Sequence, residues 1–309
     1  MRTLSLFVAA WALSMVGIAQ QPAAPAGTDK TPEANLAKWL RATAAAGPTA
    51  FEVRWQPPAS TAGIAARAAQ PGVEAAQGCF AADLLWVEMK GAEPKTWVQV
   101  GRHTLVRDKV QDGWRVAGAR ARSGFVPDPV LVLHVLAANL PEVASRAIAA
   151  ADGGAVEQIS LCLTSAQIDA LEYAGAMLDP NPLLASLRSM AKAGRMKAED
   201  VPTPFVDVCL DVDVATRLVR RIHVRTTVKE IDARQMLLQR ARANAGTEPE
   251  GEQATEAAVP VERPKEWKDG LPVRDVTGMQ VVWIEFVLRD HGKAPAVVLD
   301  DTQKALLGR

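Results

Sequence analysis

The segment at residues 204–228, PFVDVCLDVDVATRLVRRIHVRTTV, is the most regular part of this 309-residue chain. Apolar and polar side chains alternate along both of its halves, which predicts two strands of a half-buried antiparallel hairpin. The apolar rows are Val206, Val208, Leu210, Val212 and Val214 on the first strand, and Leu218, Ile222, Val224 and Val228 on the second. The shortest turn that puts both rows on one face is Ala215-Thr216-Arg217.

This register sets three polar pairs opposite each other: Asp207 and Arg225, Cys209 and His223, and Asp211 and Arg221. Opposite charges across a strand pair contribute about 0.2–1 kcal/mol each and suit a face in contact with water, so we expect this row to be solvated. An imidazole can lower the pKa of a neighbouring thiol, so Cys209 and His223 also raise the hypothesis of an activated nucleophile. A flat strand ladder provides no pocket, and two carboxylates on a strand do not meet the needs of calcium. We therefore predict no catalytic and no metal-binding residues.

The N-terminus predicts export from the cytoplasm. Arg2 precedes an apolar run at residues 4–18, and small residues occupy positions 17 and 19, so residues 1–19 resemble a signal peptide cleaved after Ala19. An uncleaved membrane anchor is the alternative, although the run is shorter than the roughly 20 residues that span a bilayer. The mature chain is expected in the periplasm or secreted.

The rest of the chain is long and apolar enough for one domain with its own core. We predict a flexible leader at 20–30, a single α+β domain at 31–300 and a tail at 301–309. Low-complexity insertions are expected at 57–77 and 246–272. Residues 128–154 should be helical, because Asp128 and Pro129 form a helix start.

Charge and cysteine content exclude some classes of protein. Lys plus Arg and Asp plus Glu number 35 each, a balance that argues against binding of nucleic acid. Cys79, Cys162 and Cys209 are too few for a disulfide scaffold, and either one bridge with a free thiol or three free thiols fits them. The sequence patterns of zinc peptidases, thiol oxidoreductases, serine hydrolases and nucleotide enzymes do not occur. No cofactor is expected.

Large apolar side chains exceed what one face of a small sheet needs. They build either an ordinary solid core or an apolar cavity between a curved sheet and covering helices. For the cavity, the predicted ligand-binding residues are Trp55, Trp86, Leu133, Leu136, Leu187 and Trp283.

The order of elements resembles a known family. A capped helix after residue 31, the strand FEVRW at 51–55, an antiparallel meander and the proline-started helix DPVLVL at 128–133 follow one another. This order resembles the periplasmic lipoprotein carriers that sort lipoproteins to the outer membrane, and their mycobacterial lipid-binding relatives, over residues 31–228 and 281–288. The resemblance implies a curved antiparallel sheet, a half-open barrel, with helices closing an apolar cavity that carries acyl chains without catalysis.

The leading prediction is therefore an exported, non-enzymatic carrier or binding protein for an acyl chain, a lipoprotein or another apolar ligand. Its partners would be that ligand or an envelope protein, with at most transient contact with a membrane. The alternative is an extracytoplasmic structural or interaction module with a solid core. A third hypothesis is an enzyme that uses Cys209 and His223.

Overall fold

The hairpin at residues 204–228 forms two neighbouring strands of a large antiparallel sheet in the computed structural model. The structure describes residues 32–55, 74–90, 94–101, 103–109, 111–117, 127–140, 143–151, 154–163, 167, 187–191, 193–194, 201–229, 266–268, 270–275 and 277–308. The predicted signal peptide and leader, and most of the two predicted insertions, lie outside these residues.

Eleven strands form the main sheet. They are β1 (Thr49–Trp55), β2 (Glu74–Ala81), β3 (Leu84–Lys90), β4 (Lys95–Val100), β5 (His103–Arg107), β6 (Arg115–Val116), β7 (Val143–Ala151), β8 (Gly154–Cys162), β9 (Phe205–Asp213), β10 (Val219–Lys229) and β13 (Met279–Arg289). Their spatial order is β6-β5-β4-β3-β2-β1-β13-β10-β9-β8-β7, and every neighbouring pair is antiparallel. The predicted antiparallel sheet with helices is confirmed, and the sheet is not closed into a barrel.

Among the described residues, the other elements include two short strands and three helices. The strands β11 (Trp267–Lys268) and β12 (Leu271–Pro272) pair only with each other in the described part of the chain. The helices are α1 (Pro32–Ala44), α2 (Pro129–Ala138) and α3 (Asp301–Leu306), and residues 187–191 are also helical. Two predictions need correction here. The tail at 301–309 contains α3, and the insertions at 57–77 and 246–272 end in β2 and in β11 and β12.

The predicted register of the hairpin is confirmed, but its turn is different. Asp207 lies opposite Arg225, Cys209 opposite His223, and Asp211 opposite Arg221. Closer to the turn, Val212 lies opposite Val219, and the register shifts between Val219 and Arg221. Val219 is fully buried there, whereas Leu218 is only partly buried, and the backbone N–H of Val219 donates to the Thr43 hydroxyl of α1 at 2.9 Å.

One face of the sheet, here called the inner face, carries the main apolar core. It includes Val206, Val208, Leu210 and Val212 of β9, and it packs with Leu36 and Leu40 of α1 and Leu133 and Leu136 of α2 in one buried cluster. Helix α1 presents these leucines because they recur at the spacing of one helical turn. The apolar rows predicted from the hairpin are thus covered by α1 and α2.

The opposite face, here called the outer face, has two separate covers. Leu307, which follows α3, packs with Val98 and Val100 of β4 and with Leu105 of β5. Helix α3 is held by a capping box, in which Asp300 accepts from the Gln303 backbone N–H and the Gln303 side chain accepts from the Asp300 backbone N–H. The second cover is the segment at residues 270–274, which lies over β8, β9 and β10.

Residues 143–151 differ from expectation. We predicted that the helix beginning at Asp128 continues through them, but α2 ends at Ala138 and Val143–Ala151 is strand β7 at one edge of the sheet. The segment VASRAIAAA is rich in alanine, which favours helices in isolation. Pairing along the whole length of β8 decides the conformation instead.

Candidate functional site

Three of the six predicted ligand-binding residues meet on the inner face. Trp55 of β1 and Leu133 and Leu136 of α2 belong to the main core, and each side chain is at most 2% exposed. Such low exposure means that these side chains are almost completely shielded from solvent. The three residues therefore form a closed interface between the sheet and α2.

The other three predicted residues lie elsewhere. Leu187 packs with Val228 in a separate cluster. Trp86 and Trp283 lie on the outer face, where Trp86 contacts Trp114 edge-on at 5.8 Å and Trp283 contacts His223 at 6.2 Å between ring centroids. The six residues consequently do not line one cavity, and Trp86 and Trp283 have to be removed from the predicted lining.

Helix α2 packs on the core through apolar side chains. Its N-terminus is capped by Asp128, whose carboxylate accepts from the backbone N–H of Leu131 at 3.0 Å. Burial of this side chain raises the pKa of Asp128. Near the other end, the Arg41 guanidinium of α1 donates to the Ala137 carbonyl oxygen at 3.3 Å, where a cation suits the helix dipole.

The outer face of β9 and β10 is polar but is not solvated, which overturns our expectation. Asp207 has 0% exposure and accepts hydrogen bonds from Arg225 at 2.9 Å and from Arg274 at 2.8 and 3.0 Å. Arg225 also donates to the Pro272 carbonyl oxygen. The bound carboxylate raises the pKa of Arg274. The segment at 270–274 is thus fastened to the sheet by a buried ion cluster.

Cys209 and His223 lie opposite each other under this same cover. Gly270 adopts φ +76°, and a Cβ atom at this position would overlap the Sγ atom of Cys209. Cys209 is fully buried, so no substrate reaches its thiol in this conformation. Burial lowers the pKa of His223, which favours the neutral imidazole. The arrangement fits a structural contact better than an activated nucleophile.

All three cysteines carry free thiols. Burial, together with the neighbouring Asp207 carboxylate, raises the pKa of Cys162 to about 11, and burial also raises the pKa of Cys79. Raised pKa values suppress the thiolate, which is the reactive form. Within the described residues, no group of three His, Cys, Asp or Glu side chains is placed to hold a metal ion.

A cluster that the sequence did not reveal lies at the edge of the inner face. Glu157 of β8 forms ion pairs with Arg146 of β7 at 3.4 Å and with Arg217 at 2.9 Å, and the Arg217 guanidinium lies 5.1 Å from the ring of Trp39 in α1. We call these four residues the edge cluster. They come from four separate segments, so no sequence spacing could have indicated them.

No protein-family model and no curated protein matches the chain. No helix among the described residues is long and apolar enough to cross a membrane.

Proposed function

We propose that this chain is an exported, non-enzymatic binding protein or carrier for an acyl chain, a lipoprotein or another apolar ligand. In this proposal the sheet is a half-open barrel that curves around α1 and α2. The observation that carries the proposal is a single apolar core, which runs across adjacent strands of the sheet and meets both helices on one face.

The width of this core supports curvature of the sheet. Core residues come from nine adjacent strands, in the order β5, β4, β3, β2, β1, β13, β10, β9 and β8. At about 4.8 Å between strands this row is about 38 Å wide when flat. Two helices side by side cover only about 20 Å. A sheet that curves around α1 and α2 brings both ends of the row into contact with one core.

In this proposal, the ligand enters beneath the helical cover of the core. Leu133 and Leu136 of α2 face the sheet, while Leu131 and Val135 are partly buried against the same core. Apolar attraction is nondirectional and depends on the area removed from water, so an acyl chain inserted between α2 and the sheet would keep both apolar surfaces covered. Ligand entry would therefore require α2 to move away from β1 and its neighbours.

Retention of lipid by the full chain tests this function directly. The protein would be purified from the compartment to which it is exported, extracted with organic solvent and analysed by mass spectrometry. Stoichiometric lipid is expected. Saturable binding of an uncharged apolar fluorophore provides a second measurement, and absence of both lipid and fluorophore binding would exclude a carrier.

A pair of matched variants separates ligand contact from general stability. Leu136→Ala removes a buried leucine from the inner face, whereas Leu105→Ala removes one from the cluster on the outer face, and both side chains are at most 2% exposed. Each substitution should destabilise the chain by about 2–5 kcal/mol. Only Leu136→Ala should change the affinity for the fluorophore.

A second function is favoured by the closure of the core. Because Trp55, Leu133 and Leu136 are at most 2% exposed, the chain also fits an extracytoplasmic structural or interaction module with a solid core. Such a module would yield a clean extract and would bind neither fluorophore nor lipid. The extraction experiment therefore decides between the two functions.

A further inference from the structure

The edge cluster has the chemistry of a site for an anionic head group. Two guanidinium groups, those of Arg146 and Arg217, share one carboxylate, that of Glu157, which leaves one excess positive charge. The side chains of Arg146 and Arg217 are 35% and 37% exposed, so an anion in solution can reach them. Guanidinium groups carry five N–H donors each in a planar arrangement that suits carboxylates and phosphates.

The position of this cluster connects it with the apolar core. Arg146 lies directly opposite Ile159, which has 0% exposure and belongs to the main core. Glu157 lies opposite Val212, another member of that core. Directly opposite residues on antiparallel strands share a face, so both charged side chains lie on the inner face. The charge is thus placed where the apolar surface ends.

An exposed apolar side chain adjoins the same charges. Ile148 of β7 lies opposite Glu157 and is 62% exposed, although it belongs to the face that is buried on the next strand. The edge of the inner face therefore combines an accessible alkyl side chain with accessible guanidinium groups. This combination matches a ligand that has an apolar chain and an anionic head.

The other pair of arginines that shares a carboxylate differs in both respects. Arg225 and Arg274 bind Asp207 on the outer face, and their side chains are only 19% and 16% exposed. Arg225 also donates a hydrogen bond to the Pro272 carbonyl oxygen. That cluster holds the chain segment above it, whereas the guanidinium groups of the edge cluster are about twice as accessible.

We propose that the ligand is a single-chain amphiphile with an anionic head group, and that Arg146 and Arg217 bind that head group at the edge of the inner face. This inference rests on the proposed function, because the alkyl chain would occupy the interface between the sheet and the helices. Arg217 would keep its contact with the Trp39 ring, which fixes the guanidinium toward the edge.

Competition with charged and neutral ligands tests this assignment. The full chain would be loaded with an uncharged apolar fluorophore, and palmitate or hexadecanol, which differ in the charge of the head group, would displace it. We expect the double variant Arg146→Gln/Arg217→Gln to bind palmitate at least about ten-fold more weakly, because two charge-assisted hydrogen bonds are lost. The affinity for hexadecanol should remain unchanged.

Two further variants distinguish head-group binding from a structural role. Glu157→Gln removes the competing carboxylate and should strengthen palmitate binding several-fold, a gain that loss of packing cannot produce. Arg289→Gln breaks an exposed ion pair with Glu52, in which the arginine is 58% exposed, and should leave both ligands unaffected. Added salt should weaken binding of palmitate but not of hexadecanol.

The outcomes separate the two proposals. If the chain binds neither the fluorophore nor lipid, the proposed function fails and this inference fails with it. If the fluorophore binds but palmitate does not displace it, the proposed function stands and the head-group assignment is overturned. If both bind and the double variant binds palmitate as tightly as the unchanged chain, the proposed function stands and the head-group assignment is overturned. Displacement by inorganic phosphate alone, at constant ionic strength, would also overturn it, because a simple anion would then suffice.

Discussion

Asp207→Asn is expected to destabilise the chain strongly, because this carboxylate fastens the segment at 270–274 to the sheet. Its side chain is 0% exposed and accepts three guanidinium N–H groups, one from Arg225 and two from Arg274, at 2.8–3.0 Å. Asparagine has nearly the same shape but carries no charge. The substitution therefore tests the charge of this cluster and not its packing.

The expected magnitude follows from the burial of the partners. Removing one member of a buried ion pair typically costs about 3–5 kcal/mol, because the remaining charge has lost its counter-charge. Arg225 and Arg274 keep 19% and 16% exposure and can regain some water, while the asparagine oxygen still accepts a hydrogen bond. We therefore expect a loss of about 3 kcal/mol in the free energy of unfolding, at the lower end of the range.

Urea denaturation measures this loss without adding salt, and a matched substitution serves as the control. Glu52→Gln breaks an ion pair with Arg289 in which the carboxylate side chain is 43% exposed and the guanidinium 58%. Such exposed pairs contribute at most about 1 kcal/mol. Hydrogen exchange of the amides at residues 270–275 should also rise in Asp207→Asn and stay unchanged in Glu52→Gln.

Equal effects of the two substitutions would refute the reasoning. If Asp207→Asn and Glu52→Gln shift the free energy of unfolding by the same small amount, burial does not strengthen the ion cluster. Unchanged exchange at 270–275 in Asp207→Asn would show that apolar contacts, and not Asp207, hold the outer cover.

Three further outcomes follow from the same face of the sheet. Gly270→Ala should lower the free energy of unfolding, measured in urea, by more than about 1 kcal/mol, because φ is +76° and the new Cβ atom overlaps Cys209. Adding Cys209→Ala should restore part of this loss, and no restoration would contradict the contact. Burial lowers the pKa of His223, so its protonation favours the unfolded chain. The free energy of unfolding should therefore fall as the pH drops from about 7 to 5, and it should fall less in His223→Gln. An equal dependence on pH in both proteins would contradict this. Because its pKa is about 11, Cys162 should react with an alkylating reagent at pH 8 more than about 100-fold slower than in urea, and equal rates would exclude this environment.

The hairpin register could be predicted from the sequence because two independent constraints agree. Strict alternation fixes which side chains share a face, and burial of one face excludes registers that differ by one residue. Its turn could not be predicted, since the register shift near Val219 is stabilised by Thr43, which lies 176 residues away in the sequence. The pattern of residues around the turn does not indicate such a distant contact.

The two tryptophans on the outer face show a different limit. The strand Met279–Arg289 has large apolar side chains on both of its faces, so alternation does not assign Trp283 to either one. The same holds for Trp86 of β3, which lies next to the buried Leu85 and Val87. The elements that cover each face decide which of these side chains contact the inner core. The sequence contains no pattern that pairs α3 or residues 270–274 with these strands.

The two faces also differ in how their covers are held, and this difference bears on ligand entry. On the outer face, the cover at residues 270–274 depends on the directional bonds of Asp207 with Arg225 and Arg274, which an apolar ligand cannot replace. On the inner face, α2 packs through apolar contacts, and a hydrogen bond from Arg41 joins its last turn to α1. An alkyl chain inserted between α2 and the sheet would keep the apolar surfaces of both out of water. We therefore expect an apolar ligand to displace α2 and to leave the segment at 270–274 in place.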